Sequence, residues 1–117
     1  MRGDGTPERD FIYVGDVVDA LILAAQAGTS GVYNVGTGKS YSLNQVVEKI
    51  SEIAGKKVKV VHLPATGECP EAPGMPELGK NYITVTRADT TKSMNELGFA
   101  AKCSLEEGLK KLLRGGL

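Results

Sequence analysis

The sequence has no excess of charge of either sign. Its 14 lysines and arginines balance 14 aspartates and glutamates over 117 residues. Affinity for polynucleotides and for anionic membranes comes largely from displaced counterions, so a balanced chain lacks the footprint that such partners need. Neither nucleic acid nor a membrane is an expected partner. No apolar run approaches the roughly 20 residues that span a bilayer, and the opening MRGDGTPERD has no hydrophobic segment of the signal-peptide kind. The expected location is the cytoplasm. Thiols and imidazoles are scarce as well: Cys69 and Cys103 stand far apart, with His62 the single histidine. They suggest neither a disulfide framework nor a metal site, and both cysteines are expected as reduced packing residues.

What is present is enough for one core. With 41% hydrophobic residues, a chain of this size buries about 65% of the surface its unfolded form exposes. Residues 1–117 are therefore expected to form a single domain. Strand-like and helix-like periodicities alternate in short units, which is an α/β signal. Phe11–Val14 reads as a strand, followed by a helix capped by Asp16 and ended at Gly28. Val32–Val35 reads as a second strand. The next helix carries Leu43, Val46, Val47, Ile50, Ile53 and Ala54 on one stripe, with a Ser42–Gln45 capping box before it and Gly55 after it. Val58–Leu63 reads as a third strand. Residues 64–80 hold four of the five prolines, so neither helix nor central strand can run through them, and a long loop is expected. Tyr82–Val85 reads as a short strand, Asp89 as the cap of a helix through Leu97, and Ser104 with Glu107 as the capping box of a final helix.

Three short signals resemble functional motifs. Gly36–Ser40 spells GTGKS between a strand and a helix, but a phosphate-binding P-loop needs a glycine where this chain has Tyr33. Nucleotide hydrolysis is not expected. Arg2, Gly3 and Asp4 match a cell-adhesion tripeptide, at a length that chance supplies. His62 has no serine, cysteine or carboxylate motif nearby, so it reads as a structural histidine.

Four longer segments carry more information. GDGTPERDFIYVGDVVDA, YNVGTGKSYSLNQVVEKI, RADTTKSMNELGF and SLEEGLKKLL resemble, in order, the C-terminal portion of extended short-chain dehydrogenase/reductase enzymes. These are the NAD-dependent nucleotide-sugar epimerases and dehydratases, UDP-glucose 4-epimerase among them. The resemblance implies a small two- or three-layer α/β domain of short strands and about four helices. It corresponds to the C-terminal part of an extended Rossmann-type epimerase.

By the same resemblance, the family's RDF arginine, which reaches the substrate pyrophosphate, falls on Arg9. A guanidinium suits that role because its planar fork meets two phosphate oxygens at once. From the residues alone, Arg9 could equally pair with Glu8 or Asp10 on the surface. Phe11 matches an aromatic that lies near the nucleoside, and a core role suits it as well. The family's second pyrophosphate arginine has no counterpart, leaving Lys80 and Arg87 as substitutes. Gly15 stands where the family has the first of two aspartates.

The family's G-x-G-x-x-G turn and Tyr-x-x-x-Lys pair are both missing, because each of the four tyrosines lacks a lysine four positions on. The expectation is a chain that binds a nucleoside-diphosphate sugar, binds no cofactor itself and is inactive alone. In the intact family, NAD performs the redox chemistry. A Rossmann-fold partner chain or self-association would cover the surface that such a portion leaves open. The alternatives are a non-enzymatic binding or assembly module and a ligand-free remnant.

Overall fold

The computed structural model describes Met1, residues 3–63 and residues 83–115. Local sequence accounts for most of its helices. Ser42 accepts the Gln45 backbone N–H and the Gln45 side chain accepts the Ser42 N–H, so the expected capping box opens α2, Leu43–Ala54. The same reciprocal bonding between Ser104 and Glu107 opens α4, Leu105–Gly115. The first helix, α1, spans Val14–Ala27, and α3 spans Thr91–Leu97. Helices α1, α2 and α3 each end on a glycine in the left-handed conformation: Gly28, Gly55 and Gly98. An L side chain is strained there.

The strands are shorter than the periodicity suggests. β1, Glu8–Arg9, pairs antiparallel with β2, Tyr41–Ser42, in the register Glu8 with Ser42 and Arg9 with Tyr41. Glu8 also forms a parallel bridge with Val85. The expected strand at Phe11–Val14 is not one: in this antiparallel register Phe11 would face Lys39, which precedes β2, and Val14 already belongs to α1. Asp16 is therefore not the cap of α1. Tyr13 holds that position without a side-chain bond, and Asp16 sits buried in the first turn. Val32–Val35 likewise joins no strand among the described residues, because side chains from α3 take its carbonyls. Lys92 Nζ donates to Val32 O at 3.2 Å and Ser93 Oγ donates to Asn34 O.

The expected strand Val58–Leu63 reduces to Leu63, whose N–H donates to Met1 O at 2.7 Å and whose O accepts the Gly3 N–H at 2.9 Å. Asp89 stands one residue before the α3 cap, Thr90, and accepts the Thr91 N–H at 3.0 Å. The proposed loop 64–80, Cys69 and Tyr82 lie outside the described residues.

One buried cluster results among the described residues. Ala20 of α1, Leu97 of α3 and Phe99 are buried together, with Ile12, Leu23 and Val35 against them. Helices α2 and α4 lie against one another. Cys103 is buried between α1 and α4, its N–H donating to Asp16 Oδ2 at 3.0 Å. The fold is α/β: four helices and a two-stranded sheet among the described residues. No helix among them is long and apolar enough to cross a membrane.

Candidate functional site

Where β1 meets the segment that leads to α3, two cations come together. The Glu8 N–H donates to Thr84 O at 2.7 Å and the Thr86 N–H donates to Glu8 O at 3.1 Å, so residues 84–86 run alongside β1. Arg9 strengthens the seam: Nη2 donates to Ile83 O at 3.0 Å, and Nη1 donates to Glu8 O at 2.6 Å and to Thr84 O at 3.4 Å. These contacts fix the plane of a half-buried guanidinium. Arg9 and Arg87 then line one open cavity of about 360 Å³, together with Asp10, Asn34 and Asp89.

Asp10 organises this place, and sequence reasoning missed it. Its Oδ1 accepts the Thr37 N–H at 3.0 Å and the Thr37 hydroxyl at 2.6 Å. Its Oδ2 accepts the Gly38 N–H at 2.9 Å and the Ala88 N–H at 3.2 Å. Burial pushes the carboxyl pKa up, but the bonds from Thr37, Ala88 and Gly38 outweigh it and hold the group below the ordinary carboxylate range. Gly36 makes the arrangement possible: a Cβ there would stand 2.5 Å from Ala88 Cβ and 2.8 Å from Asp10 Oδ2. The neighbouring acid is engaged too, Glu8 Oε2 accepting the Ser40 hydroxyl at 2.5 Å. The one sequence signal for Asp10 is its adjacency to Arg9, which reads as an ion pair rather than as a tether.

The bonds of Asp10 also explain the GTGKS look-alike. A phosphate in that turn would need the Thr37 and Gly38 N–H groups, and a carboxylate already holds them. The turn therefore does not fit the pyrophosphate of NAD or the phosphates of a nucleoside triphosphate. Of the other look-alikes, Arg2 lies outside the described residues, while His62, Gly3 and Asp4 make structural bonds. His62 Nδ1 donates to Gly3 O at 2.8 Å, and Asp4 Oδ1 accepts the Thr6 N–H at 2.9 Å.

Of the four site residues expected from the sequence, Arg9 and Arg87 share a cavity and Lys80 lies outside the described residues. Phe11 faces elsewhere. It lines a cavity of about 210 Å³ with Tyr41, Lys39 and Lys102, and an apolar one of about 250 Å³ with Leu105 and Leu109 of α4.

The sequence profile of the GDP-mannose 4,6 dehydratase family matches residues 1–112. The chain belongs to that family. A UDP-glucuronate 4-epimerase of Thermodesulfobacterium geofontis is 33% identical over 93% of this chain, which covers 30% of that protein. A probable UDP-arabinose 4-epimerase of Arabidopsis thaliana is 37% identical over 92% of the chain and 24% of its own length. Among solved structures, the UDP-glucose 4-epimerase of Thermotoga maritima with UDP-glucose superposes with a TM-score of 0.78 at 36% identity, over 98% of this chain and 34% of that one. The UDP-glucuronic acid 4-epimerase of Bacillus cereus, in complex with NAD, gives 0.73 at 25% identity, over 94% and 31%.

The chain is thus homologous to NAD-dependent nucleotide-sugar epimerases and dehydratases over a fragment. It spans about a third or less of the relatives it matches. Its fold matches a small part of those Rossmann-type structures.

Proposed function

We propose that this chain is the portion of a nucleotide-sugar epimerase or dehydratase that holds the nucleoside diphosphate of the substrate. The observation that carries this reading is the pair Arg9 and Arg87 in one open cavity. Each charge-assisted hydrogen bond from a guanidinium to a phosphate oxygen is worth about 1.5–3 kcal/mol, and two such groups span a diphosphate naturally. Arg9 binds and orients, since its plane is set by the Ile83 and Thr84 carbonyls. Arg87 adds a second charge from the neighbouring segment. The hydride chemistry of the family is that of NAD, which in this reading is held by residues outside these 117, along with the acid–base pair. Phe11 lies apart from this pair and lines the apolar cavity against α4.

The outer face of α1 supports a partner for this portion. Val14, Val18, Leu21 and Ile22 are exposed by 47–66%. Apolar surface of this extent is normally covered. In this reading it is covered by the rest of such an enzyme, or by a second copy when that is missing.

Calorimetric titration with UDP-, dTDP- and GDP-sugars tests the proposal. Micromolar binding of one of them is expected, weakened about tenfold or more by Arg9→Ala or Arg87→Ala, each tenfold step being about 1.4 kcal/mol. Absence of binding to all three overturns it. Mixing the chain with a Rossmann-fold partner and following NADH fluorescence separates an enzyme portion from a binding module without chemistry.

A further inference from the structure

We infer that Asp10 is a positioning residue for diphosphate binding: its carboxylate holds Arg87 in register with Arg9 and closes the Thr37–Gly38 turn to anions. The inference rests on the proposed phosphate role of the two arginines and adds the group that makes them act together.

The geometry separates the two cations by what holds them. Arg9 is fixed by carbonyl oxygens of Glu8, Ile83 and Thr84, none of which involves Asp10. Arg87 follows Thr86, whose N–H is bonded to Glu8 O, and precedes Ala88, whose N–H is bonded to Asp10 Oδ2 at 3.2 Å. The backbone that carries Arg87 is therefore pinned on both sides, and Asp10 is the pin on the α3 side. The other three donors to Asp10 come from Thr37 and Gly38. One carboxylate thus ties β1 to two segments 27 and 78 residues away in sequence. The same bonds occupy the backbone N–H pair that would otherwise attract an anion about a turn away from the arginines. Competition from that turn is removed, and Arg9 and Arg87 are the cations that line this cavity.

A purely structural staple would lower stability and affinity without distinguishing one arginine from the other. A positioning role couples Asp10 to Arg87 and leaves Arg9 independent.

The test uses the 117-residue chain, inorganic pyrophosphate and UDP as probes, and amide hydrogen exchange read by NMR. In Asp10→Asn, exchange at Ala88 is expected to rise and pyrophosphate affinity to fall about tenfold. Adding Arg87→Ala to that variant costs less than about threefold, whereas adding Arg9→Ala still costs about tenfold. Full additivity of Asp10→Asn with Arg87→Ala, or unchanged exchange at Ala88, overturns the inference.

If Asp10→Asn does not fold, Thr37→Val removes one of the four donors and leaves both arginines in place. Faster Ala88 exchange with weaker pyrophosphate binding then supports the inference, and no change in either overturns it. Absence of any pyrophosphate or UDP binding by the unaltered chain removes the phosphate role of the arginines themselves. That outcome is distinct from normal binding that ignores Asp10.

Discussion

Asp16 of α1 accepts the backbone N–H of Cys103 at 3.0 Å, both residues being buried and 87 positions apart. The bond joins the first helix to the segment that opens the last one. Its carboxylate also stands in the first turn of α1, where the helix dipole favours a negative charge. Asp16→Ala should destabilise the chain by about 1–3 kcal/mol, the cost of stranding a buried donor of this kind. Urea unfolding followed by helical circular dichroism measures it. A loss within error would show that water reaches the Cys103 N–H.

Gly36 is required for closeness. An added methyl group would sit 2.5 Å from Ala88 Cβ, well inside contact distance, and 2.8 Å from Asp10 Oδ2. Gly36→Ala should cost about 1–3 kcal/mol in stability by forcing the turn away from residue 88. Diphosphate affinity should fall with it. A variant as stable as the original chain, with amide shifts unchanged at Ala88, would contradict the packing described for this turn.

Acid should loosen the same region. The Asp10 pKa lies below its unfolded value of about 3.9, so its stabilisation is complete above that value and is lost as pH falls through the lower, folded one. Asp4 and Asp89 are lowered too, by bonds from Thr6 and Thr91, and remain in an Asp10→Asn variant. The unfolding midpoint of the original chain should therefore drop more steeply below about pH 4 than that of Asp10→Asn. Parallel curves would mean that the Thr37, Gly38 and Ala88 bonds do not favour the ionised form.

The exposed stripe on α1 is expected to drive self-association. Leu21 is 66% exposed and Ile22 50%, in the middle of a helix whose opposite side holds Ala20 in the core. Leu21→Glu should reduce concentration-dependent self-association in sedimentation velocity and leave the fold intact, since no buried contact is lost. A chain that is monomeric at high concentration before any substitution would remove the need for a cover on this face.

Several elements were legible in the sequence because their causes are local. The capping boxes Ser42–Gln45 and Ser104–Glu107 and the glycines at 28, 55 and 98 act within a turn of chain, so residue order alone determined where those helices begin or end. The four motif segments likewise carried the family. Strand assignments at 11–14, 32–35 and 58–63 failed for the opposite reason. β-branched runs signal an extended backbone but not a partner, and here Ser93 and Lys92 side chains or single bridges take the carbonyls. Arg9 and Arg87 were each visible as candidates, yet nothing in their spacing says that they share a cavity. That was decided by tertiary structure, through one carboxylate whose hydrogen bonds reach 27 and 78 residues along the chain. Such a bond depends on where the backbone returns in space, and only the packed chain brings Thr37, Ala88 and Asp10 together.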